Sequence, residues 1–177
     1  MAQRDLTPAI KLIKRFEGIL DGDPTTVNLD PYLCPAGYWT IGWGHVVRDT
    51  KGKMLKGAGA EAKAKAIYPH GITLEEAHSL LVHDVTYVVR DLAWVLPLRA
   101  DALMNNNQFC ALVSFVFNIG IGAFEKSTLL KRLRDGDFAD VHRQLMRWTR
   151  GGGKVLAGLK RRREAEAKLW NTPEDGA

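Results

Sequence analysis

Hydrophobic residues recur at helical spacing in several segments of the chain. Thr7-Pro8, followed by apolar residues at helical spacing, predicts a helix over about residues 8–17 with Thr7 as its N-cap. A capping box at Thr73-Leu-Glu-Glu76 begins a long amphipathic pattern that runs to about Leu92. The segment 109–119 is apolar nearly all round, which is typical of a central buried helix.

The pattern stays helical toward the C-terminus. Ser127 begins a short predicted helix that Asp135-Gly-Asp ends, and residues 138–148 are amphipathic. Three glycines at 151–153 interrupt the pattern, and a basic terminal helix is predicted over 158–170. These segments predict a helical lobe.

One stretch has a period of two instead. Gly37-Tyr-Trp-Thr-Ile-Gly-Trp-Gly-His45 alternates aromatic and β-branched residues between two faces. Tyr38, Thr40 and Gly42 share one face, so a half-buried strand is predicted. Two glycines so close together weaken a strand, unless something must approach the backbone closely. The predicted fold class is therefore α+β, mostly helical, with a small N-terminal antiparallel sheet.

Two segments lack such periodicity. Residues 21–30 are turn formers and predict a loop, whereas 51–69 is rich in Lys, Gly and Ala and predicts an exposed, mobile, partly helical insertion. We expect residues 1–177 to form a single domain in two lobes. The sheet-bearing lobe would span about 15–72, and the helical lobe 73–177 together with the N-terminal helix.

Composition narrows the function classes. With 46% hydrophobic residues in 177, the chain can bury a substantial core. No apolar run approaches the roughly 18 residues of a membrane span, and no secretory signal is evident at the N-terminus.

A net charge of +5 suits any polyanion without choosing among them. Two cysteines, Cys34 and Cys110, make neither a disulfide framework nor a metal-ligand cluster, so no cofactor or metal is expected.

Three motifs carry a resemblance to a known family. Glu17-Gly18, Pro31-Tyr-Leu-Cys-Pro-Ala-Gly37 and the stretch 38–45 resemble the catalytic segment of phage-type lysozymes. The resemblance implies a lysozyme-like fold and an endolysin that hydrolyses the β-1,4 bond between N-acetylmuramic acid and N-acetylglucosamine in peptidoglycan. It further implies a monomer that needs no cofactor. The enzyme would be held in the host cytoplasm until a holin opens the membrane, and would then act in the periplasm or cell wall.

Glu17 is the expected general acid. Glycoside hydrolysis requires a protonated group on the leaving oxygen, together with a second group that supplies or stabilises a nucleophile. A carboxyl group shielded in a cleft can stay protonated for that role. The alternative is an ordinary solvated charge at a helix end.

Cys34 is the expected second group. It stands six positions before Thr40, where the family usually has an aspartate. An ordinary thiol is mostly un-ionised at neutral pH, so it is a poor substitute for a carboxylate base. Cys34 could be a thiolate nucleophile, a partner for the attacking water, or a packing residue. Asp30, in the loop before it, is the competing candidate.

Thr40 resembles the family's residue that positions the attacking water, and Tyr38 on the same face is assigned to substrate binding. His45 and Asp84 resemble a structural pair. Asn118 matches a position that contacts sugar across the cleft, and its amide suits hydroxyl and N-acetyl groups. A helix C-cap is the alternative for Asn118.

The terminal helix carries a basic motif, Gly158 to Glu166, that also resembles the family. Arg162 and Arg163 are expected to meet the carboxylates of the peptide stems, with Glu166 bracing an arginine internally. A solvated basic face is the alternative for Lys160 and Arg161.

Three other functions compete with hydrolysis. A lytic transglycosylase needs one acid and uses a hydroxyl of the sugar as nucleophile. A non-catalytic module would bind nucleic acid or wall polymer through the basic helix 158–170, although we expect no nucleic-acid partner. Direct membrane disruption by the same helix could accompany catalysis.

Overall fold

The computed structural model describes residues 4–174. Two units can be distinguished and are described separately. The first comprises residues 17–84 and holds the three-stranded sheet, and the second comprises 4–16 and 85–174 and is helical. The division at residue 84 falls within a long helix, whereas the sequence suggested a boundary just before it.

The elements in chain order have these bounds. The helices are α1 (Thr7–Glu17), α2 (Glu61–Ile67), α3 (Leu74–Val95), α4 (Leu98–Leu103), α5 (Asn106–Ile119), α6 (Ile121–Glu125), α7 (Thr128–Arg134), α8 (Val141–Leu145) and α9 (Ala157–Trp170). The strands are β1 (Tyr32–Leu33), β2 (Trp39–Ile41), β3 (His45–Val46), β4 (Arg150–Gly151) and β5 (Lys154–Val155). The mostly helical α+β class predicted from the sequence is confirmed.

The sheet of the first unit is antiparallel in the order β1-β2-β3. Prediction of a half-buried strand was wrong, because all three residues of β2 are buried. Trp39 and Ile41 enter a core with Val47, Leu55, Ala64, Ile72 and Ala77. Thr40 is only 4% exposed on the opposite face. Both faces of this short strand are therefore covered.

Two glycines turn the chain after β2. Gly42 has φ +59° and Gly44 has φ +83°, a backbone region that favours glycine. A Cβ added at Gly42 would lie 3.0 Å from the Cβ of Ala77 on α3. The expected close approach therefore exists, and it ends the strand at Ile41 instead of letting it run on to His45.

The segment 51–69 is mostly exposed and partly helical, as its composition suggested, and it is also hydrogen-bonded to the sheet region. Leu55 donates its backbone N–H to Val47 O and accepts from Trp39 N–H, at 3.0 Å each. The indole N–H of Trp39 donates to Gly57 O at 2.9 Å. Leu55 and Ala64 are buried, so these two side chains anchor an otherwise exposed segment in the core.

The helical unit is centred on α5. Its residues 109–116 are all buried, as the continuous apolar pattern predicted. Phe115 makes edge-to-face contacts with Phe124 at 6.5 Å and with Trp148 at 5.7 Å between ring centroids. Such contacts fix ring orientation in addition to burying area.

Helix caps were predicted with mixed success. The capping box of α3 is confirmed, because Glu76 N–H donates to Thr73 Oγ1 and Thr73 N–H to Glu76 Oε2. Ser127 caps α7 as expected. The predicted cap of α1 was wrong, because the N–H of Thr7 donates to the carboxylate of Asp5, which satisfies the helix start instead.

Several short elements escaped prediction. Helices α4 and α6 have too few residues for a periodic pattern. The hairpin β4–β5 forms around glycines 151–153, where the sequence predicted only an interruption of the helical pattern. The amphipathic segment 138–148 contains a 3₁₀ turn and the five-residue α8. Within residues 4–174, no helix has both the length and the hydrophobicity to cross a membrane.

Asp140 joins α7 to the start of α8. Its carboxylate accepts from Arg143 Nε and from Gln144 Nε2, and lies 3.2 Å from Arg132 Nε. The hydrogen bond from Arg143, followed by that from Gln144, lowers the pKa of Asp140 to about 2.

We expect Asp140→Asn to lower the free energy of unfolding at pH 7. Because the folded-state pKa lies below the unfolded value of about 3.9, the stabilisation is present above about pH 4 and fades as pH falls through about 2. Urea denaturation of both proteins across this range measures the difference. Glu125→Gln, at an exposed site, is the control, and a difference that persisted at pH 2 would contradict the prediction.

Candidate active site

The β1–β2 hairpin gathers polar side chains on one face. Tyr32 pairs with Thr40 across the two strands, and Leu33 pairs with Trp39. The N–H of Cys34 donates to Tyr38 O at 2.9 Å, which continues the pairing by one step. Because side chains alternate along a strand, Tyr32, Cys34, Tyr38 and Thr40 share the face opposite the buried indole of Trp39.

Glu17 lies beside the turn that follows β2. It is the last residue of α1, and Gly18, with φ +63°, ends the helix. Its Oε2 lies 3.9 Å from the position that a Cβ on Gly44 would occupy. The side chain is partly exposed. The carboxylate therefore lies beside the glycine turn.

Tyr32 links the candidate residues and was not predicted. Burial raises the pKa of its phenol, a hydrogen bond with the Thr40 side chain opposes that shift, and the charges of Cys34 and Glu17 add to it. Glu17, Cys34 and Thr40 are thus all within electrostatic or hydrogen-bonding reach of one hydroxyl. Recognition of the hairpin from Pro31-Tyr-Leu-Cys-Pro-Ala-Gly37 would have placed Tyr32 opposite Thr40.

Thr40 is oriented by the strand it faces. Its Oγ1 donates to the backbone oxygen of Tyr32 at 3.4 Å. Because Thr40 Oγ1 is the donor in this bond, its lone pairs can accept a hydrogen bond from another group. Because only 4% of the residue is exposed, a molecule as small as water fits this role better than a sugar ring.

The aspartates of the 21–30 loop are engaged in the loop itself. Asp21 accepts from the N–H groups of Asp23 and Asp30 at 3.1 and 2.9 Å. Asp23 accepts from the N–H of Thr25 at 3.1 Å. Asp30 Oδ2 accepts from Thr26 Oγ1 at 2.6 Å. These bonds stabilise the loop, which favours Cys34 over Asp30 as the second group of the site.

Two further candidates lie in the same unit. The ammonium of Lys56 lies 5.0 Å from the ring centroid of Tyr38, which covers part of one ring face. Nδ1 of His45 lies 2.9 Å from Oδ2 of Asp84, and both side chains are partly buried. His83 approaches the same carboxylate at 3.7 Å. The His45–Asp84 contact joins β3 to α3.

The remaining candidates lie in the helical unit. Asn118 Oδ1 accepts from Arg163 Nη2 at 2.9 Å, and the helix is capped by Gly120. The C-cap alternative for Asn118 is therefore wrong. The bond leaves the two N–H donors of the amide for another acceptor.

Arg162 and Arg163 are not surface groups, which corrects the expectation that they meet peptide stems. Arg162 is 4% exposed and Arg163 is fully buried. Glu166 lies 3.2 Å from Arg162 and 2.8 Å from Arg163 and also accepts from Ser114 Oγ at 2.9 Å. Burial raises the pKa of Glu166, and the charges of Arg163 and Arg162 oppose that shift. A buried charge needs a partner of opposite charge. For both arginines that partner is Glu166, and not a carboxylate of the substrate.

No cluster of His, Cys, Asp and Glu suited to a metal ion occurs among residues 4–174.

Comparison with known proteins identifies the family of the chain. The phage lysozyme family profile matches residues 15–166. An endolysin of Acyrthosiphon pisum secondary endosymbiont phage 1 is 33% identical over 91% of this chain and 93% of its own length. An endolysin of Bacillus phage B103 is 34% identical over 93% of this chain, which spans only 53% of that protein. The solved muramidase domain of SpmX from Asticaccaulis excentricus is 30% identical, with a TM-score of 0.69, over 97% of this chain and 100% of that domain.

The fold is that of a lysozyme-type glycoside hydrolase. The chain belongs to the phage lysozyme family, as the resemblance of its motifs indicated.

Removal of Glu166 tests the buried cluster. We expect Glu166→Ala to reduce the free energy of unfolding by about 3 to 5 kcal/mol, because it leaves two buried arginines without their carboxylate. The matched control is Glu164→Ala, since Glu164 lies on the same helix with an exposed side chain 3.9 Å from Lys160. Its effect should stay within about 0.5 kcal/mol. Equal effects in urea denaturation would contradict the argument.

Proposed function

We propose that the chain is an endolysin that hydrolyses the β-1,4 bond between N-acetylmuramic acid and N-acetylglucosamine in peptidoglycan. The observation that carries this proposal is the carboxylate of Glu17 lying against the Gly44 turn, within electrostatic reach of the Tyr32 hydroxyl on the Cys34–Thr40 face. An acid and a water-binding face are the two elements that glycoside hydrolysis requires.

Glu17 is the proton donor in this mechanism. It protonates the oxygen of the N-acetylglucosamine leaving group as the bond from that oxygen to the anomeric carbon breaks. Positive charge develops on the sugar ring in the transition state. The proton converts a poor alkoxide leaving group into a neutral hydroxyl.

Water is the nucleophile, and it is held by Thr40 Oγ1 and Cys34 Sγ. It attacks the anomeric carbon from the face opposite the leaving group and loses its proton to solvent. This single displacement inverts the anomeric configuration. Thr40 suits the role because its oxygen is fixed by Tyr32 and nearly closed to larger groups.

The polymer is recognised by other groups. Tyr38, half-covered by Lys56, offers a ring to a pyranose, and the amide of Asn118 offers donors to N-acetyl oxygens. Release to the wall is proposed to follow a membrane lesion opened by a holin. Endolysins among the relatives support a peptidoglycan substrate.

A lytic transglycosylase is the second candidate, and the thiol at position 34 is the observation that favours it. Without a carboxylate base, the muramic acid's own C6 hydroxyl can attack its anomeric carbon. Mass spectrometry of digested murein separates the two reactions, since hydrolysis leaves a reducing end and transglycosylation leaves an anhydro-sugar end.

Glu17→Gln should lower the rate of murein clearance by about 10²- to 10⁴-fold, because an amide of the same shape cannot donate the proton. Glu75→Gln, an exposed carboxylate in the first turn of α3, is the control and should keep the wild-type rate. Binding to purified sacculi should survive in both variants. A Glu17→Gln enzyme with more than half of the wild-type turbidity rate would refute the assignment of the acid.

Cys34 variants test the second group. We expect Cys34→Ala to lose most activity and Cys34→Asp to retain it, because a carboxylate there can also hold the water and accept its proton. Asp30→Ala should stay near the wild-type rate, since Asp30 is bound by Thr26 in the loop. If Cys34→Ala remained active while Asp30→Ala failed, Asp30 would be the second group.

A further inference from the structure

An exposed apolar corner lies where α3 passes into α4. Trp94 is 85% exposed, Leu98 is 82% exposed and Leu103 is 58% exposed. Trp94 is one residue from the end of α3, and Leu98 and Leu103 are the first and last residues of α4. We call these three side chains the apolar corner.

The exposure of Trp94 sets it apart from the other tryptophans. Trp39 and Trp170 are 6% and 4% exposed, and Trp43 and Trp148 are partly buried. Large apolar side chains that are close in the chain and so open to water mark an interaction surface more often than a single exposed residue does. Tyr87, two helical turns before Trp94 on the same face of α3, extends the aromatic surface.

Cations border the apolar corner. Arg90 lies on α3 between Tyr87 and Trp94, with its guanidinium 4.5 Å from the Tyr87 ring centroid and its side chain 62% exposed. A cavity of about 380 Å³ adjoins the corner and is lined by Leu103 together with Arg99 and Arg134.

Two carboxylates moderate this charge. Asp135 also lines the cavity, and Asp91 lies 3.9 Å from Arg90 Nε. Three arginines against these two aspartates leave a surplus of positive charge around the apolar side chains.

The terminal helix does not offer a comparable surface. In α9, Arg162, Arg163, Glu166, Ala167 and Trp170 are all buried. Two of its arginines are therefore paired inside the protein. The ring of Trp170 packs on Phe138, with 6.1 Å between the ring centroids. The apolar corner is therefore better suited to contact a membrane than the terminal helix is.

We propose that the apolar corner docks on an anionic phospholipid surface, with Trp94 and Leu98 inserted at the headgroup level and a lipid phosphate bound between Arg99 and Arg134. Tryptophan and tyrosine favour the membrane interface, leucine favours the acyl region below it, and arginine is attracted to anionic headgroups. A glycan partner fits less well, because two leucines offer a sugar no hydrogen bonds.

Vesicle co-sedimentation of the full chain tests the proposal. Vesicles of phosphatidylglycerol should bind the wild type more tightly than vesicles of phosphatidylcholine. Trp94→Ala should weaken binding by about tenfold, and each of Arg99→Gln and Arg134→Gln by about fivefold on phosphatidylglycerol alone. Tryptophan emission should shift to the blue on binding, and Trp94→Phe should remove most of that shift while retaining binding.

Val27→Ala is the matched control, because Val27 is a fully exposed apolar side chain outside the corner. It should bind vesicles like the wild type, and thermal unfolding should show that all variants are folded. Activity on soluble glycan fragments should be unchanged in Trp94→Ala. The proposal is overturned if Trp94→Ala binds phosphatidylglycerol as the wild type does, or if Trp94 supports binding to purified sacculi but not to vesicles.

Discussion

The antiparallel pairing of β1 with β2 is the constraint on which the candidate active site depends. Register places Tyr32 opposite Thr40, and two residues further along the hairpin Cys34 lies opposite Tyr38. A slip of β2 by one residue would turn Tyr38 and Thr40 toward the core and bring Trp39 out. The indole of Trp39, tied to Gly57 and buried with Ile41, makes that slip costly. Packing on one face of the hairpin thus determines the chemistry on the other.

In the helical unit the main constraint is the burial of charged side chains. Arg162, Arg163 and Glu166 lie on one turn and a half of α9 and face α5, where Ser114 and Asn118 complete their hydrogen bonds. The first of these arginines also lies 5.8 Å from the ring of Phe16, the residue before Glu17. Within the basic motif that resembles a substrate-binding group, Arg162, Arg163 and Glu166 are therefore structural.

Sequence periodicity predicted the long helices well, because α1, α3, α5 and α9 each bury a continuous stripe or a whole circumference. It failed where burial depends on distant partners. The composition of 51–69 gave no sign that the backbone of Leu55 would bond to Trp39 and Val47, and a period of two could not show that both faces of β2 are covered. Motif resemblance located Glu17, Cys34 and Thr40, but Tyr32 became visible only through cross-strand pairing. Arg162 was misassigned for a related reason, since charge along a helix does not reveal which side chains point inward.

The central claim is that the carboxyl group of Glu17 and the face formed by Cys34 and Thr40 act on opposite sides of one glycosidic bond. A crystal structure of the Glu17→Gln variant with a bound murein oligosaccharide measures this directly. We expect the carboxamide at position 17 within hydrogen-bonding distance of a glycosidic oxygen, and a water held by Thr40 and Cys34 on the far side of the anomeric carbon. A glycan bound with no bridging oxygen near position 17, or with both groups on the same side of the sugar, would contradict the account.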